Sequence, residues 1–391
     1  MGNVPNLRFP EFRGEWSSQP LTDFMNFKNG LNPDAKRFGR GTKFISVMDI
    51  LNNQYICYDN IRASVELQDG DIETYGVDYG DILFQRSSET LEDVGRANVY
   101  LDSKPAIFGG FVIRGKSKGN YNPLFFRYLL ASPTARKRII VKGAGAQHFN
   151  IGQDGLSKVS LDIPRLSEQE KIGKLLQCVD ARIATQNKII EDLKKLKSAI
   201  IHRCYSSQTN MIPLSELLKQ CSDRNRSGSD LQVLSVSNKY GFIAQSNQFE
   251  DREVASDDTS NYKVVKKGMF AYNPARINVG SIALYEMDGN GIVSPMYVCF
   301  TTKSELLPSY LKYYFASQTF KHEMYKRLEG SVRLCLTFEE LCNIEIHLPS
   351  IEQQKNISKY ISKIENNLSL VDSIFSKYQQ QRRYLLSQMF I

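Results

Sequence analysis

The stretch Ile163-Pro-Arg-Leu-Ser-Glu-Gln-Glu-Lys-Ile172 decides the fold, because it returns later in the chain as Leu348-Pro-Ser-Ile-Glu-Gln-Gln-Lys-Asn-Ile357. The spacing from Ile172 to Ile357 is called the repeat offset below, and it also aligns Asn122–Ser132 with Leu307–Ser317. Further upstream the spacing between corresponding residues grows, first at Gly80 and Gly268 and then at Pro20 and Pro213. The chain is therefore a tandem repeat, whose halves share a scaffold and differ by insertions and by most loop residues.

An apolar seam with a heptad period follows each copy of this stretch. With Ile172 and Ile357 as the first a positions, seven of nine a and d positions are apolar in the first helix and nine of ten in the second. Such a sustained heptad is typical of coiled coils. Lys197 and Arg382 are equivalent cations within the two seams. The predicted apolar seam residues are Ile172, Leu176, Val179, Ile183, Ile190, Leu193 and Ile200, followed by Ile357, Ile361, Ile364, Leu368, Val371, Phe375 and Leu385.

The pattern also predicts how the two long helices begin and pair. Ser167 is the predicted N-cap of the first helix, with Glu170 completing a capping box. The seam of the second helix needs an apolar partner, and the first helix is the nearest one. We therefore expect an intramolecular antiparallel pair related by a pseudo-twofold axis, with a homodimeric coiled coil as the alternative.

The regions outside the long helices indicate a mixed α/β (α+β) fold. Apolar, β-branched runs at Thr42–Val47, Leu231–Val236 and Ala106–Ile113 predict strands. Proline-led segments at Leu124–Ala131 and Ser309–Ala316 predict short helices. The predicted domains are 1–165 and 207–349, each globular, separated by a central long helix at 166–206 and followed by a C-terminal long helix at 350–391.

The composition excludes several classes of protein. The chain has 391 residues and a net charge of +8, which permits an anionic partner. Its seven Cys include no CxxC pair and its four His are scattered, so we expect reduced thiols in a cytoplasmic protein and no metal site. Neither a signal peptide nor an apolar run long enough to span a membrane is evident.

Catalytic motifs are absent from the sequence as well. We find no phosphate-binding G-x-x-x-x-G-K-[ST] motif and no G-x-G-x-x-G after a predicted strand. An amino-methyltransferase motif would need a second proline and an aromatic residue, which Asn273-Pro-Ala-Arg276 lacks. A nuclease would need clustered carboxylates, whereas Asp192-Leu-Lys194 lies on a predicted helix. The sequence therefore predicts no catalytic residues and no cofactor bound by this chain.

Three kinds of segment have a composition suited to contacts with nucleic acid. Lys36–Lys43 combines cations with glycine, as loops that contact phosphates do. Phe84–Ser88 and Tyr272–Asn278 follow matching predicted strands and carry side chains that can read base edges. Glycine-rich turns at Lys142–Asn150 and before Arg333 permit close backbone approach. The candidate DNA-contacting residues are Arg37, Arg40, Lys43, Arg86, Ser87, Ser88, Lys142, Gln147, His148, Asn150, Asn273, Arg276, Asn278 and Arg333.

Each of these segments also has a structural interpretation. The first is equally compatible with a solvated loop, the second kind with a plain turn, and the third with a glycine turn that leads into a strand. Composition alone does not choose between these interpretations and contact with DNA.

The repeated stretches, together with Val4–Trp16, Gly80–Ser88 and Tyr272–Gly280, resemble the specificity subunit of type I restriction-modification enzymes over essentially the whole chain. The resemblance implies that each globular half is a target-recognition domain, which reads one half of a split DNA sequence. It implies that the helix pair sets the spacer and docks two modification (methyltransferase) subunits, and that two restriction (ATP-dependent) subunits join them. S-adenosylmethionine, ATP and Mg²⁺ would belong to those partners.

Physical reasoning agrees with the resemblance. Two unlike domains in a symmetric frame are suited to two unlike half-sites, held about one duplex turn, on the order of 34 Å, apart. The leading hypothesis is therefore non-catalytic recognition of a bipartite double-stranded DNA site. A coiled-coil scaffold protein without DNA recognition is the main alternative, and an enzyme with an unrecognised active site is the third.

Overall fold

The computed structural model describes residues 2–145, 147–207, 209–226, 231–245, 258–330 and 334–391. The chain divides into two units. Unit 1 comprises Met1–Asn187 together with Ser373–Ile391, and unit 2 comprises Lys188–Asp372. Each long helix therefore contributes one part to each unit.

Unit 1 contains a series of short strands and short helices, followed by the first long helix. Its strands are β1 Ser17–Pro20, β2 Met25–Asn29, β3 Phe38–Ile45, β4 Ala63–Val65, β5 Gly76–Val77, β6 Ile82–Gln85, β7 Ser87–Ser88, β8 Ala97–Val99, β9 Ala106–Phe108, β10 Val112–Ser117, β11 Phe149–Asn150 and β12 Ser160–Ile163. Its helices are α1 Val47–Asn52, α2 Asp71–Tyr75, α3 Pro123–Ala131, α4 Pro133–Ile140 and α5 Gln153–Ser157, and α6 Leu166–Tyr205 continues into unit 2.

Unit 2 repeats this plan and leads into the second long helix. Its strands are β13 Met211–Pro213, β14 Leu218–Cys221, β15 Val233–Ser237, β16 Gly241–Ala244, β17 Lys263–Val265, β18 Phe270–Tyr272, β19 Ile282–Leu284, β20 Gly291–Val293, β21 Val298–Thr302 and β22 Glu345–His347. Its helices are α7 Leu214–Leu217, α8 Pro308–Phe315, α9 Gln318–Lys326 and α10 Phe338–Cys342, and α11 Ile351–Gln388 ends in unit 1.

The sheets of the two units have the same strand order. The order β2-β10-β6-β8 in unit 1 matches β14-β21-β18-β19 in unit 2, and β4-β3-β9-β5 matches β16-β15-β20-β17. In each of the second sheets the two central strands are parallel. A two-stranded pair, β1-β12 or β13-β22, lies next in sequence to each long helix. The predicted mixed α/β fold is therefore confirmed.

The predicted strand at Ala106–Ile113 is two strands. β9 ends at Phe108 and β10 starts at Val112, and the two strands belong to different sheets. A turn separates them, closed by a hydrogen bond from the Val112 N–H to the Gly109 carbonyl at 2.9 Å. A Cβ atom at Gly109 would lie only 2.7 Å from the Phe44 ring, so glycine is required at this bend.

The predicted loop at Lys36–Lys43 is also wrong. Ala35–Arg37 form a single 3-10 turn, and Phe38–Ile45 form the strand β3. The register of β3 against β4 shifts between Phe38 and Thr42, which marks a bulge. Gly41 in this bulge has φ +88°, so glycines that suggested a flexible loop serve a bulged strand instead.

Ser167 does not cap the first long helix. α6 begins at Leu166, and the N–H groups of Glu168 and Gln169 both donate to the carbonyl of Arg165, so Ser167 already lies in the first turn. Glu170, the predicted partner in the capping box, is exposed. Glu168, three residues after Arg165, accepts two hydrogen bonds from Arg8 instead, each at 2.8 Å.

A capping box is present at the second long helix instead. The Ser350 hydroxyl accepts from the N–H of Gln353 at 3.3 Å, and the Gln353 side chain accepts from the N–H of Ser350 at 3.1 Å. The position equivalent to Ser350 in the first repeat is Arg165, which has no side-chain acceptor. The two helix starts are therefore stabilised differently, although their sequences align.

A buried glutamine holds the start of α6 to unit 1. The Gln169 side-chain oxygen accepts from the N–H of Asn122 at 3.0 Å, and its amide donates to the Pro164 carbonyl at 2.9 Å. Asn122 is the N-cap of α3, so one side chain joins the start of α6 to the start of a helix in the globular part.

Gln354, the counterpart of Gln169 at the repeat offset, makes the same hydrogen bonds in unit 2. It accepts from the N–H of Leu307 at 2.8 Å and donates to the carbonyls of Pro349 and Glu305, each at 2.9 Å. Leu307 precedes α8 in the way that Asn122 precedes α3. The repeat thus preserves a buried hydrogen-bonded joint as well as a sequence pattern.

None of the helices in the described part of the chain is long and apolar enough to cross a membrane.

We expect Gln354→Met to lower the free energy of unfolding by about 2 kcal/mol, because it keeps the volume of the buried side chain but leaves partly buried backbone groups at Leu307 and Pro349 without partners. Urea unfolding followed by circular dichroism measures the change. Gln380→Met, at an exposed glutamine of the same helix, is the matched control and is expected to have little effect. Equal losses of unfolding free energy in the two variants would contradict a stabilising role for the hydrogen bonds of Gln354.

Candidate nucleic-acid interface

The first predicted reading segment emerges directly from a buried strand. All four side chains of β6 are buried, and Arg86, Ser87 and Ser88 follow them as half-buried residues. The N–H of Arg86 donates to the Phe111 carbonyl at 2.9 Å, and its guanidinium donates to the Gly110 carbonyl at 3.3 Å. The segment is therefore held against the turn between β9 and β10.

The structure brings this segment together with part of the glycine-rich turn. β7 pairs with β11, so that Ser87 lies opposite Asn150, and the Ser87 hydroxyl hydrogen-bonds to the Asn150 side chain. The turn is closed by reciprocal backbone hydrogen bonds between Ala144 and Asn150 at 2.9 and 2.8 Å. Lys142, Gln147 and His148 are exposed. Two segments that are distant in the sequence thus share one surface.

Gly145 shapes this turn. Its φ is +142°, and a Cβ atom there would lie 2.0 Å from the carbonyl oxygen of His148. Only glycine fits such an approach. The sequence feature that suggested close contact with a ligand is therefore explained here by close contact within the turn.

The second reading segment follows β18, the strand of unit 2 that matches β6. The Asn273 side chain accepts from the N–H of Ala275 at 3.1 Å, which forms a tight turn. Arg276 is exposed, and Asn278 lies in the 3-10 turn Ile277–Val279. Arg333 lies outside the described residues.

Two exposed apolar side chains stand beside the reading segments, and sequence reasoning missed both. Phe111 is 69% exposed and Met296 is 61% exposed. Met296 corresponds to Phe111 at the repeat offset, and its sulfur lies 3.5 Å from the side-chain nitrogen of Asn273. The repeat offset pairs these two positions in the sequence, but their exposure is visible only in the structure.

Three of the candidate cations, Arg37 in the 3-10 turn and Arg40 and Lys43 in β3, have partners within unit 1. Arg37 forms an ion pair with Asp71 and donates to the Glu66 carbonyl at 2.9 Å. Arg40 pairs with the Glu66 carboxylate at 2.7 Å at the surface, and Lys43 donates to a backbone carbonyl at 2.8 Å. These side chains are therefore held in place rather than free in a loop.

The carboxyl of Asp71 responds to this arrangement. Burial raises its pKa, but hydrogen bonds from the Gln68 N–H and from Arg37 outweigh burial, so the pKa of Asp71 lies below its ordinary value. The carboxylate is thus charged at neutral pH and compensates the charge of Arg37. Arg40, whose side chain is 71% exposed, is more accessible than Arg37, whose side chain is 12% exposed.

The predicted seam residues of the long helices are buried or half-buried, and none is exposed. In unit 1, α6 and α11 are joined by an ion pair from the Arg382 Nε to the Asp180 carboxylate at 2.6 Å. The hydroxyl of Tyr128, from α3, donates to the same carboxylate at 3.0 Å. Burial and the Asp180 charge both raise the pKa of Tyr128, so this hydroxyl keeps its proton at neutral pH.

Unit 2 contains the equivalent arrangement with different side chains. Lys197 of α6 pairs with Glu365 of α11 at 2.5 Å, and the hydroxyl of Tyr313, from α8, donates to Glu365 at 2.9 Å. Each of these three positions is separated from its unit 1 counterpart by the repeat offset. In each unit a cation from one long helix thus meets a carboxylate from the other and a tyrosine from the globular part.

Among the described residues, no group of three or more His, Cys, Asp or Glu side chains is placed to hold a metal ion. What the two units present instead is a pair of matched scaffolds that carry unlike polar loops, the organisation of a recognition protein.

The comparison with known families gives the class. The family described as the type I restriction modification DNA specificity domain matches residues 13–195 and again 227–374. The chain belongs to this family. It is therefore a DNA-specificity subunit of a type I restriction-modification system, with a role in recognition rather than catalysis.

Two relatives come from Methanocaldococcus jannaschii. The chain is 22% identical to the putative type I restriction enzyme MjaX specificity subunit, over 94% of this chain and 91% of that protein. It is 24% identical to the type I restriction enzyme MjaVIII specificity subunit, over 93% of this chain and 88% of that protein.

Solved structures agree on the fold. The S subunit of the type I restriction-modification system from M. genitalium matches with a TM-score of 0.61 at 15% identity, over 99% of each chain. A chain from a structure that addresses complex assembly and conformational transition of the type I R-M system matches with a TM-score of 0.55 at 13% identity, over 95% of this chain and 96% of that one. The fold is thus preserved at low sequence identity.

Asp180→Asn is expected to lower the free energy of unfolding by about 3 kcal/mol, because Arg382 and Arg127, which is 3.6 Å from the carboxylate, would then be poorly compensated. Glu365→Gln is expected to cost about 1 kcal/mol or less, because the Lys197 and Glu365 side chains are 28% and 34% exposed and water compensates them. Urea unfolding of both variants tests the ranking. A larger loss of unfolding free energy in Glu365→Gln than in Asp180→Asn would contradict this ranking of the two ion pairs.

Proposed function

We propose that each unit of this chain reads one half of a bipartite double-stranded DNA site. Two unlike polar segments follow equivalent central strands of equivalent sheets, β6 in unit 1 and β18 in unit 2. This observation carries the proposal. Arg, Asn and Ser side chains can form hydrogen bonds with base edges. Different side chains at equivalent positions would then select different bases.

The candidate DNA contacts are the residues predicted from the sequence, together with the two exposed apolar residues Phe111 and Met296. Arg86–Ser88 and Asn150 form one surface in unit 1, and Asn273–Asn278 forms its counterpart in unit 2. Phe111 and Met296 are positioned beside them, where an apolar side chain can contact a thymine methyl group or enter a base step. The exposed Lys142, Gln147, His148 and Arg40 would contribute contacts to the backbone or groove.

We further propose that the long helices form an antiparallel coiled coil that sets the spacer between the half-sites. Support comes from the seam burial within each unit and from the two equivalent ion pairs. An antiparallel pair joins an early residue of one helix to a late residue of the other, and both ion pairs have this form. On this proposal the domains are 1–165 and 207–349, each globular, with the long helices at 166–206 and 350–391.

The partners proposed for this chain are DNA, two modification subunits and two restriction subunits. A repeated scaffold can present the same docking surface twice, which suits two copies of one partner. S-adenosylmethionine, ATP and Mg²⁺ would then be bound by the partners. Because the subunits of type I restriction-modification systems act on DNA, we expect a cytoplasmic complex. A scaffold role without DNA recognition is not favoured by the family match.

Methylation mapping tests the reading directly. Co-expression with a modification subunit is expected to confer methylation at one bipartite sequence. Arg86→Ala is expected to relax the sequence of one half-site only, and Arg276→Ala the other only, because each side chain belongs to a different unit. Lys158→Ala, at an exposed lysine that is not among the candidate contacts, should leave the methylated sequence unchanged. Failure to confer any sequence-specific methylation would refute the proposed function. A change in both half-sites from one substitution would refute the assignment of one half-site to each unit.

The spacer role has a separate test. Four residues inserted after Ala184, in the first long helix, are expected to change the number of base pairs between the half-sites or to abolish methylation, because the helix length separates the readers. The same four residues added after Ile391 are the control and should change nothing. An unchanged spacer length with full methylation would show that the length of the helix does not set the spacer.

A further inference from the structure

Two pockets occupy the same place in the two units. The pocket of unit 1, about 480 Å³, is lined by residues of α3, α4 and β8, and the pocket of unit 2, about 450 Å³, by residues of α8, α9 and β19. At several lining positions the second pocket repeats the first at the repeat offset. The cleft is thus a feature of the repeated scaffold and not of one set of loops.

Two of the shared positions hold a cation in both pockets. Arg127 in unit 1 corresponds to Lys312 in unit 2, and Arg136 corresponds to Lys321. Arg127 and Lys312 are each paired with a carboxylate, at 3.6 and 2.6 Å. The buried Nη1 of Arg127 also lacks a hydrogen-bond partner among the described residues, but its charge is compensated by Asp180. The second pair of cations forms no ion pair with the described residues, and it is therefore the pair available to an outside anion.

Arg136 has unused hydrogen-bonding capacity. Its Nη2 donates to the carbonyls of Glu92 and Val94 at 2.8 and 2.6 Å, while its buried Nη1 has no hydrogen-bond partner in the described part of the chain. Burial, with the nearby positive charge of Arg96, lowers the pKa of Arg136 to about 10. A bound anion would relieve both conditions.

Lys321 presents the equivalent charge in the second pocket. It is exposed, and its side chain forms no ion pair or hydrogen bond with the described residues. Half-buried or buried apolar groups, Leu130 in unit 1 and Phe315 in unit 2, occupy the same lining position beside the cations. Each pocket is therefore a partly apolar cleft with a cation that lacks a carboxylate partner.

The pocket of unit 2 includes part of a segment that we assign to base reading, and the pocket of unit 1 is lined by the connection that follows the reading segment of that unit. Glu92 and Arg96, from the connection between β7 and β8, line the first pocket. Asn278 and Gly280, from the segment after β18, line the second. Cations are thus kept in both repeats beside segments whose side chains differ. Phosphates have the same chemistry in every DNA sequence, whereas bases do not, so this contrast is the one expected where backbone and base contacts lie side by side.

We propose that each pocket seats a phosphate of the DNA backbone, with Arg136 in unit 1 and Lys321 in unit 2 as its donors. The inference rests on the proposed function, since it assumes that both units face DNA. A planar guanidinium can give two parallel hydrogen bonds to a phosphate, and a lysine ammonium gives a point charge. These contacts would set the position of each reading segment on the duplex without selecting bases.

The test uses the full chain in complex with its modification subunit. Binding to duplexes with and without the methylated sequence is measured over a range of salt concentrations. The double variant R136Q/K321Q is expected to weaken binding to both duplexes by the same factor and to reduce the slope of log affinity against log salt by about 2. The methylated sequence should stay the same. The double variant R136K/K321R, which keeps both charges, should retain the wild-type slope.

A matched control removes one charge from each unit outside the pockets. Lys158→Gln with Lys326→Gln is expected to leave the salt slope near the wild-type value. Equal slopes for the control and for R136Q/K321Q would overturn the proposal, as would a loss of binding confined to the methylated sequence. Unchanged DNA binding with loss of the modification subunit would assign the pockets to that partner and overturn the proposal too.

Free phosphate is distinguished by a separate arm. If inorganic phosphate raised the Tm of the wild-type complex more than chloride of equal ionic strength, while R136Q/K321Q left the DNA salt slope unchanged, the pocket would bind free phosphate and not the backbone. The experiment distinguishes failure of the phosphate-binding proposal from failure of the proposed function. Normal sequence-specific methylation with an unaltered slope rejects only the pocket, whereas absence of methylation by the wild-type chain rejects the function.

Discussion

The buried amide of Gln169, repeated as Gln354, is the interaction on which the rest of the structure depends. A single side chain satisfies a backbone N–H at the start of a globular helix and a proline carbonyl before the long helix, groups that are costly to leave unpaired. The two helix starts are therefore fixed to each other, whatever the neighbouring loops contain. The segments after β6 and β18 hold no such common groups, so recognition can change there without disturbing the frame. A DNA-specificity subunit requires this separation.

The sequence predicted the parts of the fold that follow from periodicity. Heptads predicted the long helices, and the prolines at 123 and 308 predicted the short helices that begin there. Predictions that relied on single residue types were less successful. Ser167 has the side chain of an N-cap, but the helix begins before it. The glycines of Lys36–Lys43 suggested a loop, yet they serve a bulge, because strand pairing with β4 decides the backbone there.

The candidate site could be predicted only in part, for a related reason. Arg86 and Asn273 were accessible to analysis because they follow strands whose sequences match. The meeting of Ser87 with Asn150 depends on the pairing of β7 with β11, which no local pattern records. Phe111 and Met296 read as ordinary apolar residues until their exposure is known. Long-range pairing and exposure are thus the two properties that the sequence left open.

The ion pairs between the two long helices have one further consequence. Each long helix carries its carboxylate, Asp180 or Glu365, early and its cation, Lys197 or Arg382, late. One repeat with its own helix thus contains both members of an ion pair that it does not close by itself. Two copies of a single repeat would satisfy each other, which makes the half-chain self-complementary.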